Sequence, residues 1–395
     1  MTNKELSRLI LIIGSMLFFL QGDNYATAPV LVDLAREFHL SAGNAALTVT
    51  AYMIPFGIFT LIFGPLGDRF SRTSIIKCTT VLTGVFSLVC AFMSSFPAVL
   101  FIRFFNGAFA SGVLPVSMAL IGELAGDDKA TLQASLAKTM GLMFLGGAVG
   151  PAVGGLLSQI GSWRLVYGFY GGVELALAMV IFFLIPNRPP SKRPFRFLSG
   201  YAETIRKPGI YKTLPVIFLT GMAVWGFFPY AGSYLKQYTS LSLPLIGLVL
   251  TMYGFGAVSA GRLGGKILQL GETPYFIIAC LLGIGSIALF HSRLDVLVMA
   301  LGLAGFGFSF MMLHPMMVAR AQQSHPSARG TVMSLCSLNM SLGGGIGTLL
   351  NRSLSQSIGI TVISATSIGL FFFATMTALV TSRQLLKASS DLQPG

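Results

Sequence analysis

Long runs of apolar residues, separated by short polar or charged stretches, dominate this chain. A run of about 20 apolar residues is long enough to cross the hydrocarbon core of a membrane as a helix. Twelve such runs are present, at 9–31, 45–66, 75–94, 98–121, 133–158, 165–186, 213–235, 243–264, 274–292, 294–317, 329–352 and 358–381. The pattern therefore predicts an all-α polytopic membrane protein with twelve transmembrane helices.

The composition agrees with this pattern. Of the 395 residues, 54% are hydrophobic and 10% are charged, whereas roughly 25% are charged in an ordinary soluble domain. A proline-rich, basic segment follows the sixth apolar run. We therefore expect a six-helix bundle in 1–186, a cytoplasmic linker in 187–212, and a second six-helix bundle with a short cytoplasmic tail in 213–395.

The formal net charge of +13 has two physical explanations. In a soluble protein it would suggest nucleic-acid binding, but Lys and Arg also accumulate in the cytoplasmic loops of membrane proteins. Here the basic residues concentrate in the tails and in the connections that follow even-numbered runs. We therefore expect a multi-pass protein of the inner (plasma) membrane, with both termini cytoplasmic and no nucleic-acid partner.

An internal repeat relates the two halves of the chain. The segment 64–69 is echoed by 261–266, and 145–150 is echoed by 342–347, both at an offset of 197 residues. Two matches at one offset place the second and fifth runs of each half in register. The repeat predicts two pseudo-symmetric bundles of six helices each.

Three motifs stand in the first half. Residues 64–72 read Gly-Pro-Leu-Gly-Asp-Arg-Phe-Ser-Arg, residues 103–107 read Arg-Phe-Phe-Asn-Gly, and residues 146–155 read Gly-Gly-Ala-Val-Gly-Pro-Ala-Val-Gly-Gly. With these motifs the chain resembles the major facilitator superfamily, and within it the twelve-helix drug:proton antiporter branch. The third motif matches the antiporter signature in full, whereas Ser71, Thr73 and Asn106 depart from the first two.

The first motif has a physical role that fits a gate. Its glycines, Gly64 among them, permit a tight turn after the second run, and Asp68 beside Arg69 and Arg72 can close salt bridges at the cytoplasmic edge. The resemblance implies that these contacts hold the inner gate in the outward-facing state. The alternative is anchoring by Arg69 and Arg72 under the positive-inside rule.

The third motif predicts a close helix contact. Gly146, Gly150 and Gly154 recur every four residues and so share one helix face, while Pro151 removes a backbone hydrogen bond beside them. Together with Gly155, this surface would serve as a packing seam and as a seal that bends during exchange.

Two ionisable residues fall at similar depths inside predicted spans. Asp23 lies about 21 Å along the first helix, and Arg103 lies about 8 Å into the fourth helix from the opposite side. Our hypothesis is that Asp23 carries the coupling proton and that its distance from Arg103 switches it between binding and release. A static ion pair is the alternative. Glu174 also lies mid-span, where packing and snorkelling are equally open.

Aromatic side chains recur at helical spacing in the seventh and tenth runs. In the resembled fold these helices line the central cavity, which suggests a surface for amphipathic or cationic molecules; packing against other helices is the alternative. The candidate cavity residues are Asn24, Trp225, Phe228, Phe306, Phe310 and His314.

The sequence contains no nucleotide-binding loop, metal-ligand run or nucleophile elbow. We therefore expect a non-enzymatic transporter without cofactor or metal, driven by an ion gradient or by the substrate's own gradient. The resemblance implies the proton gradient as the energy source, and we expect a monomer. A proton-coupled exporter of drugs or metabolites is the leading interpretation. The alternative is an uptake symporter or facilitator for a sugar, an organic acid or another small nutrient.

Overall fold

A computed structural model of the protein describes residues 3–125, 128–187, 197–325 and 328–390. Within these ranges the regular structure is helical and contains no strand. The helices are α1 (Asn3–Glu37), α2 (Ala42–Ala45), α3 (Leu47–Arg69), α4 (Arg72–Cys90), α5 (Phe96–Ala125), α6 (Lys129–Ile160), α7 (Trp163–Leu184), α8 (Phe197–Ile205), α9 (Pro208–Tyr211), α10 (Leu214–Tyr238), α11 (Leu243–Leu268), α12 (Glu272–Ser292), α13 (Val296–Ser324), α14 (Arg329–Ile358) and α15 (Val362–Ser390).

The prediction of twelve membrane-spanning helices is confirmed. In the described part of the chain, twelve helical segments are long and apolar enough to cross a membrane. Several continue beyond the predicted ends; α13 reaches Ser324 and α14 reaches Ile358. An apolar run marks only the stretch that suits the hydrocarbon core, and a helix continues through the polar turns that follow it.

The described residues form two compact units. The first comprises 1–197 and 229–251, and the second comprises 198–228 and 252–395. Helices α10 and α11 are therefore each divided between the units. The segment 187–212, predicted to be a linker, includes α8 and α9, and residues 188–196 lie outside the described part.

Glycines set the distance between α6 and α1 in the first unit. A Cβ on Gly146 would overlap the carbonyl oxygen of Phe18 in α1. A Cβ on Gly150 would lie 2.5 Å from the carbonyl oxygen of Gly22, which is also too close. The glycine side of α6 therefore lies directly against the backbone of α1, as the four-residue spacing predicts.

The second unit repeats this arrangement. A Cβ on Gly343 of α14 would overlap the carbonyl oxygen of Phe218 in α10, and one on Gly347 would overlap that of Met222. The pair α14–α10 thus repeats the pair α6–α1. The repeat seen in the sequence is therefore a repeat of helix contacts, made by the same residue type for the same steric reason.

Polar side chains at the C-terminal end of α1 hold the N-terminus of α7. The Asp33 carboxylate accepts a 2.6 Å hydrogen bond from the backbone N–H of Trp163. The Glu37 carboxylate accepts from Trp163 Nε1 at 2.6 Å and from Arg164 NH1 at 2.5 Å. Acidic groups at this position accept hydrogen bonds from the free N–H groups of the helix and interact favourably with the positive end of its dipole. These contacts fix α7 against α1, which matters for the site described next.

Candidate functional site

The centre of the first unit contains a buried ion pair. Arg103 NH1 of α5 lies 3.4 Å from Asp23 Oδ2 of α1, and the two side chains are only 1% and 4% exposed. The two residues that the sequence placed at similar depth are thus in contact. Their role in proton coupling stays a prediction, because a contact alone does not distinguish a working pair from a static one.

Neutral polar groups from α4 and α5 complete the arrangement. Arg103 NH1 also donates to Asn106 Oδ1 at 2.9 Å, and Asn106 Nδ2 donates to the Thr83 carbonyl of α4 at 3.0 Å. Ser87 Oγ, one turn further along α4, donates to Asp23 Oδ2 at 3.4 Å. Asn106, which departs from the glutamine of the resembled motif, therefore still connects the arginine to a neighbouring helix.

Two tyrosine rings flank the guanidinium. The Arg103 Cζ atom lies 4.5 Å from the ring centroid of Tyr52 and 5.1 Å from that of Tyr167. Such rings stabilise a cation by their negative faces without supplying a counter-ion. Asp23 Oδ1 and Arg103 Nε have no hydrogen-bond partner among the described residues. The pair is therefore held in place, but not all of its polar atoms form hydrogen bonds within the described part of the chain. This is unusual for two buried charges.

A third buried ionisable group stands beside this pair. Glu174 of α7 is fully buried, and neither of its carboxyl oxygens has a hydrogen-bond partner within the described ranges. Snorkelling, one of the two interpretations of Glu174 from the sequence, is therefore wrong, because a snorkelling side chain would end in an accessible position. The signal was present, since a carboxylate in the middle of an apolar run is costly, but sequence alone did not reveal which helix its side chain faces.

The glycines of the gating motif do not form the expected turn. Gly64 lies within α3, which continues to Arg69, and the chain turns only at 70–71 before α4 begins at Arg72. Gly67 serves packing instead, since a Cβ there would lie 3.1 Å from Val116 of α5. The tight-turn expectation was therefore wrong, because the helix geometry of α3 persists to the end of the motif.

Arg72 links this motif to α5. Its NH1 donates to the Ala119 carbonyl at 3.1 Å and to Glu123 Oε2 at 3.0 Å, both on α5. Arg69 is exposed, with its guanidinium 5.4 Å from the Phe70 ring centroid. The side chain of Asp68 lies outside the described residues. The motif thus connects α4 to α5, and its gating role stays a prediction.

The antiporter motif contacts a second helix besides α1. A Cβ on Gly154 would lie 2.8 Å from the Ala26 carbonyl oxygen of α1, whereas one on Gly155 would overlap the Leu243 carbonyl oxygen of α11. From the other side, a Cβ on Gly247 of α11 would overlap the Pro151 carbonyl oxygen. All of these residues belong to the first unit. The motif therefore brings α6 into backbone contact with α1 on one side and with α11 on the other.

Part of the predicted aromatic surface is a packed core. Phe306 is fully buried in the second unit, with its ring centroid 5.3 Å from that of Phe227 and 5.6 Å from that of Phe371. Phe228 is 1% exposed and lies 4.9 Å from Tyr253 by the same measure. Rings of their own unit therefore surround Phe306 and Phe228, which agrees with the packing alternative, and their role in a substrate cavity stays a prediction.

The other cavity candidates are Asn24, Trp225, Phe310 and His314, which differ in exposure and in hydrogen bonding. Phe310 is 7% exposed and stacks on His314 at 5.3 Å between ring centroids, and the buried His314 Nδ1 has no hydrogen-bond partner in the described part of the chain. The Trp225 carbonyl accepts a 2.9 Å bond from Thr348. Asn24 is partly exposed in the first unit. Their role in substrate binding stays a prediction.

Comparisons with known proteins agree with this architecture. The family model described as Major Facilitator Superfamily matches residues 12–348 and 213–391. An uncharacterized MFS-type transporter of Bacillus subtilis, YceJ, is 26% identical over 87% of this chain and 88% of its own length.

Solved structures give the same fold. A bacterial homologue of the human lysosomal transporter Spinster, in an inward-facing and unoccupied conformation, matches with a TM-score of 0.76 at 15% identity over 98% of this chain and 99% of its own. A D-xylose-proton symporter matches with a TM-score of 0.74 at 16% identity over 94% and 95% of the two chains. At such low identity these likenesses concern the fold alone.

Proposed function

Because this chain belongs to the Major Facilitator Superfamily, we propose that it is a proton-coupled exporter of small amphipathic or cationic molecules, working by alternating access. The chain is a multi-pass membrane transporter of small molecules and not an enzyme. We further propose that it lies in the inner (plasma) membrane with both termini cytoplasmic, on the distribution of Lys and Arg, and that it works as a monomer.

The buried Asp23–Arg103 pair is the observation that carries the proposal. Removing a charge from water costs several kcal/mol per ion, and an ion pair offsets this only when its geometry is good and its remaining atoms are satisfied. Here the closest N···O distance is 3.4 Å and one oxygen of Asp23 has no partner among the described residues. Ionisable residues in the membrane interior that are not needed for packing mark ion pathways.

The geometry suggests how a proton would act on this pair. A proton that binds to an Asp23 oxygen neutralises the carboxylate and removes its attraction for the guanidinium. Arg103 keeps its bond to Asn106 and its contacts with the rings of Tyr52 and Tyr167. These groups retain the cation in place while α1 is no longer held to α5 by the ion pair. Loss of the proton restores the pair, so the protonation of Asp23 would be coupled to the position of α1.

The glycine contacts of α6 fit a sealed helix seam, and the resemblance of residues 146–155 to the antiporter signature is the reason for preferring export to uptake. A proton-coupled transporter of either direction must separate its two substrate-accessible states without leaking protons between them. Backbone contact of α6 with α1 and α11, at Gly150, Gly154 and Gly155, leaves no space for a water chain along that seam. Small residues also allow the surfaces to part and meet again without a change of rotamer.

The uptake symporter remains the competing function, and a transport assay in inside-out membrane vesicles separates the two. We expect an imposed proton gradient, acid inside the vesicle, to drive accumulation of at least one member of a panel of cationic dyes and antibiotics. Asp23→Asn should abolish this accumulation. Glu203→Gln is the matched control, because Glu203 is an exposed acid on α8.

Two results would contradict the proposal. Accumulation that is independent of the proton gradient, or equal in the wild type and Asp23→Asn, would remove proton coupling through Asp23. Uptake of a sugar or an organic acid together with protons in right-side-out vesicles would establish the importer in place of the exporter.

A further inference from the structure

Glu174 occupies a position that packing alone does not explain. Its side chain is fully buried, and both carboxyl oxygens lack hydrogen-bond partners in the described part of the protein. An ionised carboxylate in such a place costs far more free energy than a neutral carboxylic acid does. A residue needed only to fill volume would not require a carboxyl group.

The backbone of α4 places Glu174 within one turn of the ion pair. A Cβ on Gly84 would lie 3.1 Å from the carbonyl carbon of Glu174 and 2.7 Å from the nitrogen of Leu175, so α4 and α7 are in backbone contact here. The neighbouring Thr83 accepts the hydrogen bond from Asn106, and Ser87 donates to Asp23. One turn of α4 therefore contacts the backbone at Glu174 and also makes hydrogen bonds with Asn106 and Asp23.

The groups that act on Glu174 come from several helices. Asp23 of α1 and Arg103 of α5 are in electrostatic range of its carboxyl group. The hydroxyl-bearing rings of Tyr52 on α3 and Tyr170 on α7 are in range as well. Tyr170 also packs on α1, because a Cβ on Gly22 would lie 2.8 Å from its ring. Glu174 thus shares the environment of Asp23, with one arginine for two carboxyl groups.

We propose that Glu174 is a second proton-binding residue of this site and holds the site's proton while Asp23 is paired with Arg103. The guanidinium, the Asp23 carboxylate and the Glu174 acid then sum to zero charge. Two ionised carboxylates would leave one without a counter-ion, and two protonated ones would leave Arg103 without one. Transfer of the proton from a Glu174 oxygen to an Asp23 oxygen keeps the sum at zero and moves the negative charge from α1 to α7.

The role of the Glu174 proton in transport rests on the proposed function, but proton binding by Glu174 does not. Infrared spectroscopy tests proton binding without a substrate. A protonated carboxylic acid shielded from water shows a carbonyl stretch that an ionised carboxylate lacks. We expect this band at pH 7 in the purified full-length protein in detergent. Glu174→Gln should lose the band and Glu174→Asp should shift it, whereas Asp23→Glu and Glu203→Gln should leave it unchanged.

Three results would overturn the inference: no such band in the wild type, a band that persists unchanged in Glu174→Gln, or a band that shifts in Asp23→Glu and stays in place in Glu174→Asp. The last result would assign the resting proton to Asp23. A monodisperse size-exclusion profile shows that each variant is folded, and Glu174→Asp, which should keep a shifted carbonyl band, replaces Glu174→Gln if that variant aggregates. A band without proton-driven transport would support the proton site and contradict only the proposed function.

Discussion

Replacing Gly146 by alanine is expected to force α6 away from α1. The added Cβ would overlap the carbonyl oxygen of Phe18, which belongs to the backbone and cannot rotate aside. Overpacking of this kind costs up to about 3 kcal/mol, and the better helix propensity of alanine returns about 1 kcal/mol. The expected net loss is therefore about 2 kcal/mol, which corresponds to a Tm lower by roughly 4–8 °C for a unit of this size.

The matched control lies in the same helix. Gly141 of α6 has no atom within 4 Å of the position a Cβ would take, so Gly141→Ala adds only the gain in helix propensity. Thermal unfolding of the wild type and both variants in detergent, followed by tryptophan fluorescence, measures the difference. A Tm for Gly146→Ala equal to or above that of Gly141→Ala would refute the steric reasoning.

Two further predictions concern polar contacts. Asn351→Leu removes one hydrogen bond to an α10 carbonyl, at 2.8 Å, and one from the hydroxyl of Thr366 in α15, at 2.5 Å. We expect a loss of about 1–3 kcal/mol in thermal unfolding, because the bonded groups are buried or part-buried. The exposed Ser353→Ala should be unchanged within about 0.5 kcal/mol. Arg72→Ala should lower the transport rate more than Glu123→Gln does in the same vesicles. Arg72 also donates to an α5 carbonyl, and the Glu123 side chain that it pairs with is 44% exposed. Equal transport rates in the two variants would contradict the role of the hydrogen bond to that carbonyl.

Much of the fold was predictable because the membrane imposes simple rules. Apolar length marks the spans, and a glycine repeat such as that of Gly146 and Gly150 marks a helix contact, since both follow from local sequence. Helix ends were less predictable, because α3 stays helical through Gly64 and Gly67, where the glycines suggested a turn. Glycine permits a turn but does not require one.

Part of the site was also predictable from local sequence. Depth along a helix can be counted, and the count brought Asp23 and Arg103 to the same level. The direction that a side chain faces depends on packing, which one sequence does not reveal. Phe306 was therefore assigned to a cavity although its ring packs among other rings, and packing and snorkelling stayed equally open for Glu174 although its side chain is fully buried.

Proton movement by the reconstituted protein tests the central claim most directly. Proteoliposomes that enclose a pH-sensitive dye report protons that cross when a transported cationic dye is added outside. The account predicts a pH change with the wild type and with Glu203→Gln. It predicts none with Asp23→Asn, although exchange of the cationic dye without a proton gradient continues in that variant. A pH change of wild-type size in Asp23→Asn would contradict the account.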